Sequence, residues 1–120
     1  MWEVLVSGLI GLLGNFREDR VHSEEQKDSA LSAIISAANE TKIYIQRVQR
    51  TGNTNRGTEE KLSRLWATAS IFIRHFDHDL AERCIIKSEY WLNPENYTAT
   101  DIARFRIGID QVYKEAKQLL

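Results

Sequence analysis

Residues 58–92 read TEEKLSRLWATASIFIRHFDHDLAERCIIKSEYWL, and the number of helices they form decides the architecture of the chain. Leu62, Trp66, Ala69, Ile73, Phe76, Leu80, Cys84 and Trp91 recur at helical spacing and hold nearly one phase at 100° per residue. A steady phase favours a single helix, about 50 Å long at 1.5 Å per residue. Two features oppose it. Asp77 and Asp79 are good N-cap residues, and Asp79 with Glu82 makes a capping box, so a helix can restart near 77–79. A rod of about 50 Å would also overhang its neighbours, at about 33 Å for the last predicted helix and about 22 Å for the first. Both outcomes stay open at this point: a third helix that is continuous, or one that breaks near Asp77–Asp79.

Outward from this stretch the signals are simpler. Thr51 to Gly57 (TGNTNRG) is the one strong turn cluster of the first half, and Thr58 is the expected N-cap, with Glu59 and Glu60 in the first turn. Gly52 and Gly57 faintly echo a phosphate loop, but no lysine is there and the loop follows a helix, not a strand. Upstream, Ser23 and Gln26 form a capping box, and Leu31, Ile34, Ala38, Ile45 and Val48 carry an apolar stripe to about Arg50. Alanines and serines between Ser29 and Ala38 suit close approach of a neighbouring helix. Downstream, Asn93-Pro94 stops the chain, Thr98 and Asp101 are a further capping pair, and Ile102, Phe105, Ile109, Val112, Ala116 and Leu119 repeat at three and four.

No strand-like alternation of useful length occurs. The expected fold is all-α: an up-and-down bundle of four long helices, five if the third breaks, in one domain over residues 1–120. The helices are expected at about 2–16, 24–50, 58–92 and 99–119. Composition agrees. A chain of 120 residues with one proline suits long elements and can build a core without staples. The single cysteine, Cys84, excludes a disulfide framework and a multi-cysteine zinc site, and suits a reducing, cytoplasmic setting. A net charge of −1 argues against bulk electrostatic binding of nucleic acid.

The first predicted helix is the unusual one. Trp2, Leu5, Leu9, Leu12 and Phe16 form its apolar stripe, while Ser7, Gly11 and Gly14 lie behind, with Gly8 at the side. Between Glu3 and Arg17 there is no charge, although an ordinary surface helix carries lysines and glutamates on its outer face. Each glycine costs roughly 1 kcal/mol against alanine in a helix interior, so both faces are expected to pack. The competing readings are a helix sandwiched within the monomer, a contact between subunits, and a helix that inserts into lipid. A spanning segment needs about 20 apolar residues, and Val4–Phe16 is too short. A signal peptide wants a basic start, whereas Glu3 precedes the apolar run. An interfacial helix normally carries lysine or arginine on its polar face, and this one has none.

Three further groups are candidate sites. On a continuous helix, His75, His78, Asp79 and Glu82 would share the face opposite the apolar stripe, a spacing able to chelate a divalent metal. No Glu-x-x-His pair of the di-iron bundles occurs, and a solvated polar face is the ordinary explanation. Arg47, Arg50, Arg56, Lys61 and Arg64 would form a basic tip, opposite an acidic one of Glu18, Asp19, Glu24, Glu25 and Asp28. That arrangement complements helix ends or docks an acidic partner. RNA is disfavoured, since Glu59 and Glu60 dilute the tip and no stacking aromatic accompanies it. Tyr90, Trp91 and Tyr97 suit a plug at the bundle end better than a hot spot. Cys84 falls on the core stripe, and no base, nucleophile and oxyanion site occur together.

The expectation is therefore a protein that is not an enzyme and holds no cofactor. It is a helical interaction or adaptor module binding a protein partner or itself as a homo-oligomer. Leu5, Leu9, Leu12 and Phe16 would supply the apolar contact, and Gly8, Gly11 and Gly14 the close approach. A membrane-acting first helix is the alternative, and a metal site at His75, His78, Asp79 and Glu82 the third.

Overall fold

The computed structural model describes residues 2–93 and 99–119. These residues form five α-helices and no strand: α1 (Trp2–Phe16), α2 (Glu24–Thr51), α3 (Arg56–Ile73), α4 (His78–Leu92) and α5 (Ala99–Gln118). The fold is the all-α bundle in its five-helix form.

The stretch 58–92 folds back on itself. In the turn at 74–77 the amides of Phe76 and Asp77 both donate to the Ile73 carbonyl, at 2.8 and 3.0 Å. Asp77 then caps α4, its Oδ1 accepting from the Leu80 amide at 3.0 Å. Asp79 sits inside the first turn of α4, where its charge favours the helix dipole but caps nothing. The apolar phase runs through the break because both arms bury the same stripe. Leu62, Trp66, Ala69 and Ile73 on one arm and Leu80, Cys84 and Trp91 on the other are at most 1% exposed. Length is the deciding quantity. The molecule measures 45 × 23 × 21 Å, and α2, with 28 residues and about 42 Å of rise, already spans the long axis. A continuous rod would have carried apolar side chains past the end of the core.

The caps are local. Ser23 and Gln26 close the capping box of α2 at 3.1 and 3.0 Å, and α2 ends on Gly52 at φ 72°, a left-handed position that glycine takes without strain. The start of α3 differs from expectation. Asn55 Oδ1 accepts from the Thr58 amide at 2.9 Å and from its hydroxyl at 3.1 Å. Asn55 is therefore the N-cap and Thr58 lies within the first turn, asparagine being the stronger cap of the two. Tyr97 and Thr98, and with them the capping pair expected before the last helix, lie outside the described residues.

Around the core the helices follow the order α1, α5, α2, α3, α4, with α4 closing against α1. Cross-links fix the directions. The Tyr44 hydroxyl donates to Glu59 (2.7 Å) and the Trp66 indole to Thr41 (3.0 Å), joining α2 and α3 antiparallel. Ser63 meets Ser88 at 3.1 Å between α3 and α4. Lys42 pairs with Asp110 at 2.9 Å, and Arg106 donates to Gln49 at 3.1 Å, between α2 and α5. An odd ring of up-and-down helices must contain one parallel pair of neighbours. That pair is α1 and α5: Val6 lies against Gly108, and Phe16 and Leu119 border one recess. A Cβ at Gly108 would come within 2.9 Å of Val6 Cγ2, so this approach needs glycine.

Candidate interaction surface and polar clusters

The structure divides the residues expected to serve a subunit contact into two groups. Leu5 and Leu9 are fully buried in the monomer, and Phe16 and Leu12 nearly so, at 6 and 8% exposed. Gly8 is also used internally: a Cβ there would lie 2.8 Å from Leu80 Cδ1, so the glycine lets α4 approach α1. All five, expected to serve a partner contact, are packed within the bundle of this chain. Periodicity marks which stripe is buried but not whether the same chain covers it. Gly11 and Gly14 are different. Both are exposed, and no heavy atom outside the local helix lies within 4 Å of a Cβ built on either. With Val4, 48% exposed, and Ser7 they form an uncharged outer strip at spacings of three, four and three.

Among the described residues no helix is long and apolar enough to cross a membrane. Leu5, Leu9, Leu12, Leu13 and Phe16 of α1 are packed in the bundle core, and α1 would have to give up that packing to enter lipid.

The two charged tips lie at opposite ends of α2, which carries Glu24, Glu25 and Asp28 in its first turns and Arg47 and Arg50 in its last. At the basic end Arg47, Arg50, Arg56 and Arg64 are exposed, Lys61 pairs with Glu40 at 3.4 Å, and Arg56 is 3.9 Å from Glu59. Arg106 joins this end through Gln49. It was missed in the sequence because only the antiparallel pairing of α2 with α5 brings it there. Beneath the tip, Glu59 is 4% exposed and accepts from the Tyr44 hydroxyl, which itself accepts from the Asn55 amide at 3.0 Å. Burial, reinforced by the Glu59 carboxylate, pushes the Tyr44 phenol up to about 12. The group is a structural clasp on the start of α3. The alanine and serine stretch of α2 borders a groove against α3 of about 700 Å³, lined by Ser29, Ser32, Ala33, Ser36, Leu65 and Phe72 among others.

The histidine and carboxylate candidates do not share one helix face. His75 lies in the turn before α4, while His78, Asp79 and Glu82 lie on α4, and all four are exposed. Among the described residues no three or more His, Cys, Asp or Glu side chains are placed to hold a metal ion. The chain instead uses the backbone carbonyl of His75, which meets His22 Nε2 at 2.7 Å. His22 and its neighbour Asp19, with Nδ1 and Oδ2 2.8 Å apart, were not singled out as a pair. The three-residue spacing was visible, but the partner 53 residues away was not. Cys84 is fully buried, and burial pushes its thiol up to about 12, far from the thiolate a nucleophile needs. Trp91 packs edge-on to Tyr44 and Tyr90, both at 5.9 Å, beneath the end of the bundle. Comparison with known proteins finds no matching family model, curated protein or solved structure.

Proposed function

We propose that this chain is a non-enzymatic helical interaction module whose partner is a second copy of itself, met across the outer strip of α1. The observation that carries this reading is that a side chain at Gly11 or Gly14 would meet no other part of the monomer. Gly8 and Gly108 stand where a side chain would collide with Leu80 or Val6, so packing accounts for them. Gly11 and Gly14 face open space, yet against alanine they cost the helix about 1 kcal/mol at Gly11 and about 0.5 kcal/mol at Gly14, in the last turn. A strip of Val4, Ser7, Gly11 and Gly14 without charge, on a chain that is 28% charged, suits the close approach of another helix. Small residues let two backbones come near enough for continuous van der Waals contact.

Sedimentation equilibrium of the wild type and of Gly11→Glu tests this reading. Because the site is open, the variant keeps its fold, and thermal unfolding checks that. The wild type is expected to self-associate and the variant to remain a monomer. Two monomers of equal stability would sink the proposal.

A further inference from the structure

His22 sits at the end of the bundle where the loop at residues 17–23 passes the turn at 74–77. Its ring is 24% exposed and packs on Phe76 with centroids 4.2 Å apart, and Phe76 in turn packs on Phe16 at 4.9 Å. Both ring nitrogens face oxygens: Nδ1 lies 2.8 Å from Asp19 Oδ2, and Nε2 lies 2.7 Å from the His75 carbonyl. A carbonyl can only accept. The Asp19 carboxyl is held below the ordinary carboxylate range, first by the His22 amide donating to Oδ1 at 3.1 Å, then by the His22 ring and the Val21 amide. It too is an acceptor. A neutral imidazole has one N–H and one lone pair, so one of the two contacts would set lone pair against lone pair. The imidazolium has two N–H groups and donates to both.

We infer that His22 is a proton-operated latch between the α1–α2 loop and the α3–α4 turn, closed by the imidazolium and loosened by the neutral ring. The charged groups around it are consistent with this. Lys27 of α2 donates to the Asp19 carbonyl at 3.0 Å and pairs with Glu24 at 2.8 Å. Arg17, Glu18 and Arg20 of the loop, Arg74 and Asp77 of the turn and His78 of α4 are all exposed, and Asp77 is engaged in capping. Among the described residues only Asp19 and the His75 carbonyl reach the ring nitrogens. The signs follow from the two partners. The Asp19 contribution is present above the ordinary carboxylate range and is lost as pH falls through its lowered titration. The imidazolium contribution is present while both ring nitrogens carry a proton and is lost when one of them is given up. The latch holds between these limits. The inference is independent of self-association.

Amide hydrogen exchange, corrected for its intrinsic pH dependence, reads the latch at Val21 and His22, whose amides donate to Asp19, and at Phe76 and Asp77 in the turn. Between about pH 5.5 and about pH 7.5 protection in the wild type is expected to fall about tenfold, the worth of one charge-assisted hydrogen bond. His75→Gln/His78→Gln, which removes the other two histidine rings but spares the His75 backbone, should show the same fall. His22→Gln should show none, with Ile34 and Ile45 in α2 reporting that the fold is kept. Ring nitrogen shifts of His22 in the wild type decide the matter even if that variant unfolds: deprotonation and loss of protection must coincide. Equal wild-type protection at both pH values overturns the inference. So does an undiminished fall in His22→Gln, loss of the fall in the double variant, or deprotonation without loosening.

Discussion

Replacing each glycine of α1 by alanine yields three different outcomes. In a helix interior the exchange is worth about 1 kcal/mol in favour of alanine. At Gly11 nothing opposes that gain, because no heavy atom outside the local helix lies within 4 Å of the new Cβ. Gly11→Ala should therefore raise monomer stability by about 1 kcal/mol, or about 4 °C in Tm for a chain of this length. Gly14→Ala should give somewhat less, about 0.5 kcal/mol, because position 14 lies in the last turn, where helix propensity counts for less. At Gly8 the methyl would sit 2.8 Å from Leu80 Cδ1, and Leu80 is fully buried, so its side chain must shift within the core. Overpacking costs about 1–3 kcal/mol, so Gly8→Ala should be neutral to destabilising by about 2 kcal/mol. Urea unfolding followed by circular dichroism, at concentrations low enough for monomer, measures all three. In sedimentation the order reverses for the partner contact: Gly11→Ala stabilises the monomer but holds a second helix away and weakens association. A destabilised Gly11→Ala, or a Gly8→Ala as stable as Gly11→Ala, would refute the assignment of inner and outer glycines.

Other consequences are equally direct. Tyr44→Phe removes the donor to buried Glu59 and the acceptor of the Asn55 amide, and should cost about 1–3 kcal/mol in urea unfolding. In an ultraviolet alkaline titration of the wild type one tyrosine should hold its proton up to about 12 and be missing from that variant. The stability this raised phenol contributes is present below the usual tyrosine range and is lost as pH rises through about 12. Asp77→Ala should lose about 1 kcal/mol by uncapping α4, while Asp79→Ala should lose only a few tenths through the dipole. Thermal melts of the pair separate the cap from its neighbour. The Cys84 thiol, pushed up to about 12 by burial, should react with a disulfide reagent at neutral pH only at the rate at which the fold opens, and acceleration by urea checks it.

Much of the fold is legible in the sequence because its signals are local. A capping box needs only Ser23 and Gln26, a helix end needs only Gly52, and a buried stripe needs only the spacing of Leu62, Trp66 and Leu80. The candidate surface was half legible. The lack of charge between Glu3 and Arg17 marked α1 as unusual, but spacing could not say which of its faces the chain itself covers. The metal-like set of His75, His78, Asp79 and Glu82 depended on an unbroken helix, and the turn at 74–77 removed that premise. His22 and Asp19 went unnoticed for the opposite reason: their importance comes from a carbonyl in a distant turn.

By itself, then, the sequence determined the all-α class, the stripes that face inward and most of the caps, since each depends on residues within one or two turns of one another. The tertiary structure decided where residues 58–92 fold back, because apolar phase is the same for one rod and for a hairpin, and a cap at Asp77 permits a break without requiring one. It decided which glycines of α1 are needed inside, because that depends on the distance to Leu80. It also paired α1 with α5 in parallel, since closing an odd ring of helices is a property of the whole bundle and of no segment in it.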